Sequence, residues 1–141
     1  MKKYSMVFIF TKDLSKVLLI HKTRPEWQKG KLNGLGGKIE ENESPVDCVL
    51  REVKEESTLG INQDDLRYFG EMINADKSST QLFAAIYLGN ENDAQNNEDQ
   101  EVEWVEIKSL PTTIMTNLSW LIPMALDQVK NNNLKSVQIA Y

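Results

Sequence analysis

Residues 37–59 read GKIEENESPVDCVLREVKEESTL, and the interpretation of the whole chain starts from this stretch. Ser44 is a favourable N-cap and Pro45 suits the first helical position, so a helix is predicted to begin there. Apolar side chains then recur three, four and seven residues apart, which predicts one apolar helix face. This face consists of Val46, Val49, Leu50 and Val53.

The other side of the predicted helix carries three carboxylates, on Glu52, Glu55 and Glu56. Their spacing of three and four residues places them side by side on a helix. Like charges in that arrangement disfavour the helix by about 0.2–0.5 kcal/mol per pair. A divalent cation would reverse the sign of this effect, and Mg²⁺ typically shares its ligands between carboxylates, water and substrate phosphates.

The stretch resembles the Nudix box of hydrolases that act on nucleoside diphosphates linked to another group. The family pattern is G-x5-E-x7-R-E-U-x-E-E-x-G-U, in which U is an aliphatic residue. The positions that match in register are Gly37, Glu43, Arg51, Glu52, Val53, Glu55, Glu56 and Leu59. One position departs, because Thr58 stands where the pattern has its second glycine, and this leaves the turn after the helix open.

The resemblance implies metal-dependent hydrolysis of a pyrophosphate. Glu52, Glu55 and Glu56 would bind Mg²⁺, for which Mn²⁺ could substitute, and Gly37 would add its backbone carbonyl. Bound metal would clamp phosphate oxygens and lower the pKa of a bound water. Arg51 is implied to hold Glu43 and a carboxylate of the cluster in place through its guanidinium group. The catalytic set is therefore Arg51, Glu55 and Glu56, and which glutamate acts as general base stays open.

Glu98 is a further candidate for a metal-binding or general-base role. The run Glu98, Asp99 and Gln100 before Trp104 resembles the E-x-Q-x-x-x-W segment in which some MutT-like enzymes supply a loop carboxylate. The alternative is a solvated loop charge, since residues 89–100 read GNENDAQNNEDQ, a composition typical of a polar loop.

The rest of the chain predicts a mixed α/β domain. Strands are predicted over residues 5–10, 16–20, 38–40, 66–73, 81–88 and 101–107, a glycine-rich loop over 25–37, and a second helix over 116–129 with a break or first-turn position at Pro123. Residues 134–141 are either a short strand or loosely ordered. The resemblance implies the Nudix fold, an α/β (α+β) architecture with a mixed β-sheet between helices. We expect residues 1–141 to form a single domain.

Residues 32–40, LNGLGGKIE, are similar to the segment WNGFGGK of MutT-like hydrolases of oxidised purine nucleoside triphosphates. In this resemblance Asn33 matches the asparagine that hydrogen-bonds the base, and Trp27 falls where those enzymes have an aromatic residue near the base pocket. Lys38 is assigned to substrate binding with them. The alternatives are a turn residue for Asn33, because Asn-Gly is a strong turn pair, and a loop residue covering the core for Trp27.

Residues 115–126, MTNLSWLIPMAL, are similar to the segment WPDDSYWFPLLL near the end of the same enzymes. Asn117 takes the place of the first of two acidic residues that read the purine, and Leu118 takes the place of the second. An amide and a leucine cannot accept or share a proton as two acids do. This departure leaves open whether 8-oxoguanine is the preferred base.

The composition limits the kinds of partner that we expect the chain to bind. It has 141 residues, a net charge of −5 and a pI of about 4.9. No block of Lys and Arg forms a stripe, so we expect no nucleic-acid duplex as a partner. No apolar run is long enough for a signal peptide or a membrane span, so we expect no membrane partner and a cytoplasmic location. The choice between monomer and homodimer stays open.

The sequence thus predicts a Mg²⁺-dependent pyrophosphohydrolase that converts a nucleoside triphosphate to the monophosphate and pyrophosphate. Oxidised or non-standard purine nucleotides such as 8-oxo-dGTP are the favoured substrates, as in nucleotide-pool cleaning. One alternative is a Nudix hydrolase of another nucleoside diphosphate derivative. The others are a nucleotide-binding domain that has lost turnover, against which the intact Arg51–Glu56 core argues, and a purely structural acidic domain.

Overall fold

A mixed sheet of eight strands forms the centre of the molecule in the computed structural model, which describes residues 1–131 and 136–140. The strands are β1 (Lys3–Thr11), β2 (Lys16–His21), β3 (Leu32–Asn33), β4 (Leu35–Lys38), β5 (Arg67–Ile73), β6 (Ser79–Tyr87), β7 (Glu101–Glu106) and β8 (Val137–Ala140). The α-helices are α1 (Pro45–Ser57) and α2 (Leu118–Asn131).

Strand β1 organises the sheet. It pairs in parallel with β6 along its whole length, from Lys3 opposite Ser79 to Thr11 opposite Tyr87. On its other side it pairs antiparallel, first with β4 and then with β2. The sheet order is β3-β2-β1-β6-β5-β8, with β4 beside β1 and β7 beside β2. The glycine strand β4 is thus held at the middle of the sheet, where it contacts α1.

Each face of the sheet carries an apolar core that one helix covers. Successive side chains of a strand point to opposite faces, so Val7 of β1 packs in a cluster with Val53 of α1, whereas Phe8 packs in a cluster with Leu121 of α2. All four side chains are fully buried, and burying one such side chain contributes about 1.5–3 kcal/mol. The predicted mixed sheet between helices is confirmed.

The strands predicted over residues 5–10, 16–20, 66–73, 81–88 and 101–107 are confirmed as β1, β2, β5, β6 and β7, with ends shifted by one or two residues. At the C-terminal end, β8 pairs in parallel with β5, so a strand is present there. Leu134, Lys135 and Tyr141 of the predicted tail lie outside the described residues. In the described part of the chain, no helix is both long and apolar enough to cross a membrane.

The glycine-rich segment is more regular than the loop predicted over residues 25–37, because it contains β3 and most of β4. The strand predicted at 38–40 is wrong in position, since it lies at Leu35–Lys38. Glycine causes this shift. A Cβ at Gly36 would overlap the backbone of Ser5 on β1, so only glycine permits the two strands to approach so closely.

Helix α2 runs through Pro123 without a break, so the predicted interruption is wrong. Proline in a helix interior costs about 3 kcal/mol because it removes a backbone donor. Pro123 lies on the exposed side, however, while Leu121 and Ile122 beside it are fully buried. The burial of this apolar face offsets the lost hydrogen bond.

Helix α1 ends in a left-handed residue, Thr58, which stands where the Nudix pattern has a glycine. Thr58 adopts the left-handed conformation, with φ of 67° and ψ of −2°, and its N–H donates to the carbonyl of Lys54. Glycine takes this conformation at little cost, whereas a β-branched residue is strained there. The turn after the helix is therefore kept despite the substitution.

Candidate active site

Helix α1 is held in one orientation by contacts at its start and along its apolar face. The side-chain oxygen of Ser44 accepts a hydrogen bond from the N–H of Asp47 at 3.0 Å, which satisfies a free donor of the first turn. The hydroxyl of Ser5 on β1 donates to the carbonyl of Pro45 at 3.1 Å. With Val53 buried against the sheet, Glu52 and Glu56 are directed toward β4.

Glu56 is buried beside the glycine strand, with 6% of its surface exposed. Its Oε1 accepts a hydrogen bond from the N–H of Gly36 at 2.9 Å. Burial raises the pKa of Glu56 to about 8, although the hydrogen bond from Gly36 opposes the rise. Within residues 1–131 and 136–140, Glu56 forms no ion pair. A buried carboxylate without an ion pair is costly unless a proton or a cation neutralises it, so this position suits either a proton or a bound cation.

Arg51 holds the carboxylates around it. Its Nε and Nη2 donate to the two carboxylate oxygens of Glu43 at 2.7 and 2.9 Å, and its Nη1 donates to Glu52 at 2.8 Å and to Glu55 at 3.4 Å. The Arg51 guanidinium lowers the pKa of Glu43 to about 2. Such a forked pair fixes geometry as well as charge. The pairing implied by the family resemblance is present.

Gly37 provides the space for the Glu52 carboxylate, because a Cβ at this position would overlap Oε1 of Glu52. Burial raises the pKa of Glu52, while the hydrogen bond from Arg51 lowers it. Lys22 lies close enough to Glu56 to lower the pKa of that carboxyl. The site therefore combines two partly desolvated carboxylates with positive charge at its edge.

The oxygen atoms on this face, from carboxylates and backbone carbonyls, are the ligand type that a hard divalent cation prefers. The unpaired, buried carboxylate of Glu56 is the observation that favours such a cation. Among the described residues, no three His, Cys, Asp or Glu side chains converge to hold a metal ion by themselves. Arg51 occupies one oxygen each of Glu52 and Glu55. This suits Mg²⁺, which usually binds one or two carboxylates and takes further ligands from water and substrate phosphates.

An open cleft of about 720 Å³ lies beside the C-terminal end of α1. It is lined by Thr23, Arg24, Glu55, Asn97, Glu98, Asp99 and Gln100. Glu55 and Glu98 are both exposed, so carboxylates from the helix and from a distant loop face the same space. The structure places Glu98 in the same cleft as Glu55, and the catalytic role of Glu98 stays a prediction.

Trp27 is 67% exposed, so the alternative that it covers the core is wrong. Asn33 is buried, and its amide already has two partners, because Oδ1 accepts from the N–H of Gly34 at 2.9 Å and Nδ2 donates to Gln28 at 3.2 Å. The alternative that Asn33 is a turn residue is wrong, because Asn33 ends β3 and the chain continues into β4 at Leu35. Because an amide nitrogen carries two hydrogens, Nδ2 can donate one to a base while it keeps the bond to Gln28.

Asn117 is buried, with 6% of its surface exposed, just before α2. Its Nδ2 donates to the sulfur of Met72 at 3.7 Å, whereas its Oδ1 has no hydrogen-bond partner among the described residues. The segment before α2 exchanges backbone hydrogen bonds with Leu32 of β3, through Thr113 and Met115. Leu118, in contrast, is fully buried in the core on the α2 side and has a packing role.

Lys38 lies apart from the cleft that contains Glu55 and Glu98. Its side chain is exposed and lines a second open cleft of about 410 Å³ together with Lys2 and Lys3. Its backbone carbonyl accepts from Nη2 of Arg51 at 3.2 Å. The backbone of Lys38 thus belongs to the Arg51 network, whereas its side chain points to a separate surface.

Sequence reasoning missed three residues of the site. Gly36 contacts Glu56 through its N–H, Lys22 adds positive charge beside Glu56, and Nδ2 of Asn97 donates to the carbonyl of Glu55 at 2.9 Å. The run of glycines before the box was a signal for Gly36, since glycine allows close backbone approach. Nothing local in the sequence marks Lys22 or Asn97, because their contacts are made across long chain separations.

Comparison with protein families gives a match of the NUDIX domain to residues 2–123. An NAD-capped RNA hydrolase, NudC, of Vibrio atlanticus is 27% identical over 141 residues, which cover 98% of this chain and 51% of the relative. The chain thus spans about half the length of this relative.

Two solved structures have similar folds. The crystal structure of a NUDIX hydrolase from Nitrosomonas europaea superposes with a TM-score of 0.77 at 18% identity, over 99% of this chain and 78% of the other. The NUDIX domain of Shewanella oneidensis NrtR, complexed with ADP ribose, superposes with a TM-score of 0.72 at 20% identity, over 90% of this chain and 87% of the other. At these identities the likeness shows a shared fold.

Proposed function

The chain belongs to the Nudix family, and on this premise we propose that it is a metal-dependent pyrophosphohydrolase that cleaves a nucleoside triphosphate to the monophosphate and pyrophosphate. The observation that carries the proposal is Glu56, a buried carboxylate without an ion pair in the described residues, fixed by the N–H of Gly36 at 2.9 Å. Without metal, burial raises the pKa of Glu56 to about 8 and favours its protonated form, and a bound cation would instead stabilise the carboxylate.

Glu52, Glu55 and Glu56 are the ligands assigned to Mg²⁺, or to Mn²⁺ as a substitute, together with the carbonyl of Gly37. Because three carboxylates do not converge on one point in the described residues, water and substrate phosphates would complete the ligands. When bound, the metal neutralises phosphate oxygens and lowers the pKa of a bound water. Arg51 keeps the carboxylates in place, because each of its three nitrogens donates to a glutamate. The positions of the carboxylates that would hold the metal are therefore set before substrate binds.

The proton of the attacking water is assigned to an exposed carboxylate of the open cleft, either Glu55 or Glu98. Both face solvent in the same cleft, whereas Glu56 is buried and is assigned to the metal ion. A positioned general base typically contributes about 10²–10⁴-fold to the rate. The location of the two carboxylates on different elements allows substrate to lie between them.

The nucleobase of the substrate is assigned to the region of Trp27, Asn33 and Asn117. The free Oδ1 of Asn117 is a buried acceptor, and leaving such an atom unpaired costs about 1–3 kcal/mol, which a donor on a purine edge would recover. The exposed ring of Trp27 is available for base stacking, worth about 1–3 kcal/mol. Oxidised or non-standard purine nucleotides such as 8-oxo-dGTP are the favoured class.

A second candidate is a dinucleotide with an internal pyrophosphate. The similarity to a protein named as an NAD-capped RNA hydrolase extends over 98% of this chain, which favours this class. The same carboxylates would serve, because the bond to be cleaved is again a pyrophosphate.

A hydrolysis panel with product analysis distinguishes the classes. Purified protein with Mg²⁺ is incubated with canonical and oxidised (d)NTPs, ADP-ribose, dinucleoside polyphosphates, NAD and NAD-capped RNA. Release of pyrophosphate from a purine (d)NTP is the expected result. Preferential cleavage of NAD or of the NAD cap would favour the second candidate, and nucleotide binding without any turnover would favour a silent binding domain.

A further inference from the structure

The polar loop of residues 89–100, between β6 and β7, is attached to the C-terminal end of α1. The N–H of Gln95 donates to the carbonyl of Ser57 at 2.9 Å, and Nδ2 of Asn97 donates to the carbonyl of Glu55 at 2.9 Å. The last four carbonyls of a helix lack partners within the helix. The loop therefore supplies donors to the end of the helix that carries the catalytic carboxylates.

Asn97 uses both ends of its amide. Its Oδ1 accepts from the N–H groups of Asp99 and Gln100 at 2.9 and 2.8 Å, which forms the turn that contains Glu98. Its Nδ2 makes the bond to Glu55. One side chain thus shapes the turn and fastens it to α1. An aspartate at this position would keep the acceptor and lose the donor, so the two tasks can be separated.

Thr58 makes a second attachment. Its hydroxyl donates to the carbonyl of Asp93 at 3.0 Å, a bond that the glycine of the family pattern could not make. The residue makes this bond from a left-handed conformation, φ 67°, that disfavours β-branched side chains. Thr58, which replaces the glycine of the Nudix pattern, therefore adds a further hydrogen bond between the loop and the end of the helix.

We propose that Asn97 is a positioning residue, which fixes the turn containing Glu98 to the end of α1 and so sets the place of the Glu98 carboxylate relative to Glu55. Glu98 follows Asn97 directly in the chain, and all three residues line the 720 Å³ cleft. The proposal rests on the proposed function, because it assigns the effect of Asn97 to hydrolysis. Thr58 supports the same attachment from the other end of the loop.

The variant Asn97→Asp should lower kcat by about 10-fold while KM changes less than about 3-fold. A small misplacement of a catalytic group can cost up to about 10²-fold, and the retained turn limits the displacement here. The matched control is Asn62→Asp, since Oδ1 of Asn62 also caps a turn, by accepting from the N–H of Asp64 at 3.0 Å, and lies outside the loop. This control should leave kcat and KM unchanged.

The decisive comparison repeats Asn97→Asp in a Glu98→Gln background, with the panel nucleotide that the wild type hydrolyses fastest. If Asn97 acts through Glu98, adding Asn97→Asp to Glu98→Gln should change kcat by less than about 2-fold relative to Glu98→Gln alone. An equal loss of kcat in both backgrounds would overturn the proposal. An unchanged kcat in Asn97→Asp, or in Glu98→Gln alone, would also overturn it.

Amide hydrogen exchange of the metal-free protein tests the attachment independently of activity. In Asn97→Asp the N–H of Gln95 should exchange faster, while those of Asp99 and Gln100 keep their protection. Unchanged exchange at Gln95 would contradict the attachment. If exchange changes as expected but the wild type hydrolyses no nucleotide, the proposed function fails and the attachment remains.

A second variant guards against misfolding of the first. Thr58→Val keeps the β-branched shape but removes the hydroxyl, and it should also lower kcat in a manner that depends on Glu98. Thr58→Ser keeps the hydroxyl and should match the wild type. Equal kcat in Thr58→Val and Thr58→Ser would count against the second attachment.

Discussion

Replacing Glu56 with Gln should stabilise the metal-free protein at pH 8 and remove much of its pH dependence. Burial raises the pKa of Glu56 from the ordinary 4.5 to about 8. Between these values the folded protein binds a proton that the unfolded chain releases, so the stability from this group is full below about pH 4.5 and is lost as the pH rises. The expected slope is about 1.4 kcal/mol per pH unit.

Over this interval of about 3.5 pH units the loss amounts to at most about 5 kcal/mol. Glutamine stays neutral at every pH and can still accept the hydrogen bond that Gly36 donates to Oε1. The variant should therefore be several kcal/mol more stable than the wild type near pH 8 and nearly equal to it near pH 5.

Urea unfolding with a chelator present, at about pH 5, 6, 7 and 8, measures the difference between the two proteins. The exposed neighbour Glu55 provides the control, because Glu55→Gln changes the same charge without changing a buried group. Parallel stability curves for the wild type and Glu56→Gln would refute the reasoning. A variant less stable than the wild type at pH 8 would do the same.

Four further outcomes follow from the structure. Gly37→Ala should fold with a stability loss of about 1 kcal/mol or less but lose metal-dependent activity, because its Cβ displaces the Glu52 carboxylate. Gly36→Ala should be far less stable in thermal unfolding, because its Cβ meets the backbone of β1. Arg51→Lys should lower the free energy of unfolding by about 1.5–3 kcal/mol, since it loses the forked hydrogen bonds; equal urea midpoints would contradict this. Asn117→Leu should raise that free energy by about 1 kcal/mol by removing an unpaired buried oxygen and should raise KM, and an unchanged KM would exclude a base contact.

The helix and its acidic face could be predicted because every signal there is local. Ser44 and Pro45 mark the start of α1, and the apolar spacing gives the face that Val53 buries. The ion pairs of Arg51 were implied by the family pattern. These features depend on residues that are close together in the chain, and such contacts can be predicted from a sequence.

Features that depend on distant neighbours were predicted less well. The strand at Leu35–Lys38 lies where it does because β1 accepts it, and Pro123 is tolerated because the sheet buries the other side of α2. The attachment of Asn97 to Glu55 spans 42 residues of sequence. In a polar, asparagine-rich run, composition alone predicts a solvated loop, and it cannot show which amide meets a free carbonyl.

The most direct test of the account compares Mg²⁺-dependent product formation by the wild type and Glu56→Gln. The wild type should convert at least one purine nucleotide to a monophosphate and pyrophosphate, or cleave an internal pyrophosphate. The variant should be slower by more than about 10²-fold, since even the partners of metal ligands are worth about 10–100-fold. Full activity of Glu56→Gln, or absence of metal-dependent cleavage across the whole panel, would contradict the central claim.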